Sequence, residues 1–294
     1  MILSHAFNYI KYNCEGYNMN NFSFSKFKNK ILNFYKMLIY SYLKDKNIKG
    51  KKIKYGKNKR QYYKLYKKSC DCKTTIFFIH GGGWWHGSAS LYSSVGKYFY
   101  KMGYNAVIVG YRLVPFYRYP KQIDDVFLAL KHYLDNNKNN NLIISGYSAG
   151  SELASHIVFD KKRHKKYNIN TNILKGFISI SGVLDFLKCK SLYSKFLIKN
   201  YVYKNEIKKV NPINLINNEI DIPIMCIHGD SDTLIDLENS ISFVEKAKNL
   251  DKNITLKVIK NAQHEDTINI VRGDGNKYSK YILNFIKNID NVEK

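Results

Sequence analysis

Residues 141–151 read NLIISGYSAGS. An apolar, β-branched run of buried-strand type breaks into Gly146-Tyr147-Ser148-Ala149-Gly150 and resumes as a helix-forming stretch. Strand, sharp turn and helix around G-x-S-x-G make a nucleophile elbow, with the serine hydroxyl exposed at the turn. The small residues two places before and after the serine let neighbouring elements close on it. With glycine at roughly 7% of an average chain, the bare pattern recurs by chance in roughly one protein in ten. It gains meaning from what surrounds it.

About 65 residues upstream lies IFFIHGGGWWHG, residues 76–87, which holds four of the chain's 17 glycines. Gly81, Gly82 and Gly83 give up side-chain packing directly after a strand, where bare backbone N–H groups can approach a ligand without a Cβ in the way. The N–H of Ala149, next after the serine, points out of a helix N-terminus toward a developing oxyanion. Gly82 and Gly83 are the candidate partners of that donor. A plain glycine-rich turn does not explain why the cluster follows a strand and precedes an elbow.

A neutral serine needs a histidine to take its proton, and the histidine needs a carboxylate to hold its tautomer. Around such an elbow the chain order is Ser, then Asp or Glu, then His. His228 and His264 follow the serine at plausible sites. His264, in KNAQHED on a loop after the last expected strand, is the expected base; His228 abuts the acids and is expected to make a structural hydrogen bond. The acids lie in HGDSDTLID, residues 228–236. Asp232 is the choice, four residues past the strand end and able to curl toward the final loop, with Asp230 and Asp236 as fallbacks. His80 and His86 precede the serine, and His80 is read as shaping the glycine turn. His156 is read as packed or on the surface; His132 and His5 carry no signal.

From about residue 53 onward, short β-branched or aromatic runs alternate with helical stretches, the signature of a mostly parallel sheet covered by helices. Strands are expected near 53–56, 60–67, 74–79, 105–110, 141–145, 175–181, 223–228 and 254–259. Helices are expected near 90–102, 121–136, 149–160, 237–250 and 276–288. Residues 1–50 form an N-terminal extension, expected to be helical and to act as a cap or membrane-surface segment. Residues 182–220 are an insertion of the kind that sits over the carboxyl ends of strands as a lid or cap.

The chain carries 48 Lys plus Arg against 23 Asp plus Glu, a formal net charge of +25. The lysines are scattered among Asn, Ile and Tyr and no base- or phosphate-reading motif accompanies them, so a solvated surface is expected and no nucleic-acid partner. Five irregularly spaced cysteines, Cys14, Cys70, Cys72, Cys189 and Cys226, do not make a disulfide framework and fit a reducing, cytoplasmic compartment. Cys70 and Cys72 lack two further ligands for zinc. No apolar run reaches the roughly 18 residues of a membrane span. Residues 31–43, ILNFYKMLIYSYL, are read as an amphipathic helix that packs on the body or contacts a membrane surface.

Taken together, YGKNKRQYYKLY, HGGGWWHG, YRLVPFYRYPKQIDDVFLAL, GYSAG, the Asn211-Pro212 pair, HGDSDTLID and NAQH stand in an order and spacing that resemble the α/β-hydrolase superfamily. Within it, the similarity is to the hormone-sensitive-lipase and kynurenine-formamidase-like esterases and runs from about residue 53 to 290. The resemblance implies a central sheet of about eight strands with helices on both faces and a helical cap. It implies Ser148, Asp232 and His264 as a triad, Gly82, Gly83 and Ala149 as oxyanion donors, and no metal or organic cofactor. Tyr111, Arg112, Pro115 and Asp124 match a structural segment beside the elbow. Tyr147 stands where the lipase-like branch usually has Asp, which leans toward the formamidase-like or general carboxylesterase branch. The implied activity is hydrolysis of a small-molecule ester or lipid through an acyl-enzyme. An arylformamidase-like amide hydrolase and a membrane-surface lipid esterase are the alternatives. A ligand-binding protein on the same scaffold would be expected to have lost a triad member. Trp84, Trp85 and Tyr147, with Phe186, Tyr193 and Phe196, are candidates for the substrate pocket, packed-core roles being as well supported.

Overall fold

The run TTIFFI is buried at every position as strand β3 (Thr74–Ile79), because it lies mid-sheet with helices over both faces, where a strand reads as continuously apolar. Phe77 faces Tyr133 on one side and Phe78 faces Tyr92 on the other. The structure is a computed structural model that describes residues 45–68, 72–137, 141–273 and 276–292. Most of the 1–50 extension, the 31–43 segment, His5, Cys14 and Cys70 lie outside them.

The other strands are β1 (Lys51–Lys54), β2 (Tyr62–Tyr66), β4 (Asn105–Val109), β5 (Asn141–Tyr147), β6 (Leu174–Ile180), β7 (Ile224–Gly229) and β8 (Ile254–Ile259). They form one eight-stranded sheet in the order β1-β2-β4-β3-β5-β6-β7-β8. β2 pairs antiparallel with β1 and β4, and the remaining pairs are parallel. β1, KKIK, is an edge strand whose lysines are exposed, a charge pattern that discourages pairing with a further chain.

The helices are α1 (Ser93–Lys101), α2 (Lys121–Asn136), α3 (Ala149–Phe159), α4 (Lys161–Tyr167), α5 (Leu192–Tyr201), α6 (Glu238–Lys248) and α7 (Ser279–Val292). Strand alternation divides them between two faces. Phe177 of β6 meets Phe159 of α3 and Phe243 of α6, while a Cβ at the preceding Gly176 would press on Phe285 and Ile289 of α7. The segment between β6 and β7 carries α5 and short helical turns at Phe186–Lys188, Lys204–Glu206, Ile207–Val210 and Pro212–Asn214. Two expectations are corrected: α4 lies where no helix was anticipated, and His264 opens a single helical turn, His264–Thr267, where a loop was expected.

Because the chain runs from β3 to β4 on one side and returns to β5 on the other, the sheet reverses direction between β3 and β5. Ligands of open α/β sheets bind at such a reversal, outside the carboxyl ends of the strands. The glycine cluster leaves β3 there and Ser148 leaves β5.

Candidate active site

Ser148 sits between β5 and α3 at φ 55°, ψ −124°, a strained backbone for a residue with a Cβ. Its N–H is anchored to the Ile180 carbonyl at 2.9 Å, so the turn is locked to β6. The flanking glycines follow from close approach: a Cβ at Gly146 would overlap the Gly150 carbonyl, and one at Gly150 would overlap the Ile79 carbonyl at the end of β3. α3 can start so near the sheet because both positions are bare. Ala149 opens that helix with no side-chain cap before it, which leaves its N–H among the donors that a helix start does not use.

The glycine cluster lies against this turn. A Cβ on Gly81 would stand 2.7 Å from the Tyr147 carbonyl and 3.2 Å from Ser148 Cβ, so Gly81, not singled out as a site residue from sequence, is the glycine of the cluster that touches the Ser148 turn. Gly82, Gly83 and Trp84 have φ of 124°, 57° and 62°, a left-handed path in which the tryptophan alone costs about 1–2 kcal/mol. The Gly82 carbonyl turns inward to accept from Trp85 and His86 N–H groups at 3.0 and 3.1 Å. His80 is fully buried, stacks on Tyr111 at 4.3 Å, and binds the Gly81 carbonyl through Nδ1 at 2.8 Å. Burial drives its pKa down to about 3, so it is a neutral brace. Tyr111 bonds the His80 carbonyl at 2.8 Å, and Arg112 forks onto the buried Asp125.

Asp232 follows β7 and reaches His264, whose Nδ1 is 2.7 Å from Asp232 Oδ2. Its other oxygen, Oδ1, accepts the N–H groups of Leu234 and Ile235, both at 2.9 Å, and His228 Nε2 stands 3.2 Å from Oδ2. Burial pushes the Asp232 carboxyl up, but the charge of His264 and the hydrogen bonds of His228 and His264 outweigh it and hold the group well below the usual carboxylate range. An ionised Asp232 accepts the Nδ1–H of His264, which makes Nε2 the basic nitrogen. Asp230 instead accepts from Asn261 N–H and Asp236 from Lys190 N–H. His228 is fully buried between Ser240 and the Ile235 carbonyl.

Tyr147 joins the serine turn to the histidine. Its hydroxyl donates to the His264 carbonyl at 3.1 Å and its ring lies 5.1 Å from the imidazole. Thr267 bonds the same carbonyl at 2.9 Å, and the Gln263/Asp266 capping box fixes the helical turn that carries the histidine. Trp84 is 1% exposed, stacked on Tyr201 and bonded to Glu152. Trp85 is half-buried and stacks on Phe196. His156 lies between Glu152 and Asp160, each at 3.3 Å. Glu152 was missed from sequence; an acid in the first turn of the otherwise apolar AGSELASHIVF was the available signal. Among the described residues no cluster of His, Cys, Asp or Glu could hold a metal ion, and no helix is long and apolar enough to cross a membrane.

The strand order and the serine turn between β5 and α3 define an α/β-hydrolase fold. Residues 63–247 match the family model described as BD-FAE, more than half of the chain, and the chain belongs to that family. It is 24% identical over 202 residues to kynurenine formamidase of Meyerozyma guilliermondii, spanning 65% of this chain and 78% of that one. It is 33% identical over 123 residues to arylacetamide deacetylase of Bos taurus, where the match covers 38% of this chain and 31% of the relative. Esterase B of Lactobacillus rhamnosis superposes with a TM-score of 0.74 at 18% identity, over 90% of this chain and 93% of that one.

Proposed function

We propose that the protein is a serine hydrolase that cleaves carboxylic esters of small molecules, with Ser148 as nucleophile, His264 as base and Asp232 as the acid that orients it. The 2.7 Å bond from His264 Nδ1 to the buried Asp232 carboxylate, held through Tyr147 beside the strained serine turn, carries this reading. Ser148 Oγ attacks the carbonyl carbon while its proton passes to His264 Nε2. The N–H groups of Gly82, Gly83 and Ala149 receive the oxyanion. His264 then gives the proton to the leaving oxygen as the acyl bond breaks, and water repeats the cycle on the acyl-enzyme. This chemistry uses no metal or organic cofactor. The insertion between β6 and β7 serves as the cap.

Cleavage of a formyl amide is the second reading, favoured by the similarity to kynurenine formamidase over 78% of that relative. The test is labelling with a fluorophosphonate probe. Wild type is expected to label and Ser148→Ala and His264→Ala are not; equal labelling of Ser148→Ala would overturn the assignment. Ester and formyl-anilide substrates then separate the two activities by kcat/KM.

A further inference from the structure

One turn past Ser148 on α3, the carboxylate of Glu152 gathers donors from three segments. Oε2 accepts the Trp84 indole N–H at 3.0 Å; Oε1 accepts the Tyr201 hydroxyl at 3.1 Å and lies 3.3 Å from His156 Nε2. Trp84 closes the glycine loop directly after Gly82 and Gly83, Tyr201 ends α5 in the insertion, and His156 is one turn further along α3. The Trp84 and Tyr201 rings stack at 4.2 Å with 5° between their planes. All four residues are at most 1% exposed.

Burying a carboxylate is costly, and an apolar residue of similar volume would fill the space without that cost. What a carboxylate adds is direction: two oxygens fix two elements at defined distances from a third. Trp84 needs such fixing, since its left-handed backbone persists only where the surroundings over-determine it. Leu197 of α5 comes up to the same loop, 2.6 Å from where a Gly83 Cβ would lie. Resting on the serine-hydrolase reading above, we propose that Glu152 is a positioning residue that ties the glycine loop and α5 to the nucleophile helix, thereby setting the distance from the Gly82 and Gly83 N–H groups to the Ser148 carbonyl adduct. Glu152 touches no reacting atom. Its action falls on donors used in the transition state, so loosening it lowers kcat while KM stays near its value.

The experiment measures ester kcat and KM per active site, titrated to completion with a fluorophosphonate, for wild type, Glu152→Leu, Glu152→Gln and Trp84→Phe, with Ser148→Ala as the control that takes no label. By the scale of losing one oxyanion donor, Glu152→Leu is expected to lose about 100-fold in kcat, Trp84→Phe about tenfold and Glu152→Gln an amount between them, each with KM within about threefold. If Glu152→Leu does not fold, the isosteric Glu152→Gln and the milder Trp84→Phe decide. A kcat per titrated site within twofold of wild type overturns the proposal, since a merely structural role lowers the titratable fraction and leaves the turnover of each site intact. A rise in KM at constant kcat overturns it too. If wild type takes no label that Ser148→Ala abolishes, the serine-hydrolase reading fails and the proposal falls with it. If wild type labels and turns over, the variants bear on Glu152 alone.

Discussion

Asp232→Asn is the sharpest perturbation of the site, because the structure dictates how the amide must sit. Oδ1 of Asp232 accepts two backbone N–H groups at 2.9 Å, a place that only the amide oxygen of asparagine can fill. Its NH2 is therefore forced into the Oδ2 position, 2.7 Å from His264 Nδ1 and 3.2 Å from His228 Nε2. An NH2 there donates to His264 Nδ1 and drives the ring proton onto Nε2, so the nitrogen meant to receive the serine proton already carries one. The wrong tautomer costs about 10⁴ in kcat in a serine triad, or about 5.4 kcal/mol at 1.36 kcal/mol per decade. Stability moves as well. The Asp232 carboxyl is held below its unfolded value of about 3.9, so its contribution is complete above that pH and is lost as pH falls through the lower folded value. Replacing a charged hydrogen-bond acceptor lowers stability at pH 7 by about 2 kcal/mol, and the gap to wild type begins to narrow below about pH 4. Ester turnover at pH 7 and urea melts from pH 3 to 7 check both. A kcat loss under tenfold in folded protein, or a stability gap that does not change with pH, would refute the reasoning.

Gly150→Ala pushes a methyl into the Ile79 carbonyl and is expected to destabilise by more than about 3 kcal/mol, whereas Gly103→Ala meets no atom within 4 Å and costs only its positive φ, about 1 kcal/mol. Urea melts of the two separate crowding from conformation. Ser148→Gly is expected to be about 1 kcal/mol more stable than Ser148→Ala, the reverse of the usual order, because glycine relieves the φ of 55°; thermal melts giving the usual order would argue against strain at Ser148. Tyr147→Phe removes the hydroxyl bond to the His264 carbonyl but keeps the ring contact, so a kcat loss below tenfold and a stability loss of about 1 kcal/mol are expected from kinetics and melts. Asp125→Ala strands Arg112 and should cost about 3–5 kcal/mol in a urea melt.

The central strands were legible because parallel strands covered on both faces have one appearance, a short unbroken apolar run, and TTIFFI and NLIISGY have it. β1 was displaced by two residues: nothing local in KKIK marks its start, which is set by pairing Ile53 with Tyr63. α4, KKRHKKY, carries no apolar periodicity and exists through a local cap and tertiary support, with Asp160 capping Arg163 N–H, Arg163 paired with Asp124 of α2 and Tyr167 stacked on Phe127. The positions of Ser148, Asp232 and His264 were legible since Ser148 directly follows β5 and the other two lie in the short segments after the neighbouring strands β7 and β8, where they meet. The Glu152 contacts were not, because its partners Trp84 and Tyr201 are 68 and 49 residues away and packing alone brings them together.

The chain's acidic residues show the same economy of placement. In a protein with 48 basic and 23 acidic side chains, four carboxylates that are buried each bind segments distant in sequence. Asp125 joins α2 to Arg112 and Gln61. Glu152 joins α3 to the glycine loop and α5. Asp185 accepts from Leu187 N–H, Asn211 and Ser242, joining the start of the insertion to its end and to α6. Asp232 joins the loop after β7 to the turn bearing His264. A lysine could not do this, since it only donates, and the carbonyl-rich strand ends already supply acceptors. The segments that cross the carboxyl edge of the sheet present N–H and O–H groups to one another, and a buried carboxylate is the acceptor that can receive several of them at once. The scattered surface charge is therefore free to vary, while the geometry around Ser148 depends on a few acids whose loss leaves donors unsatisfied.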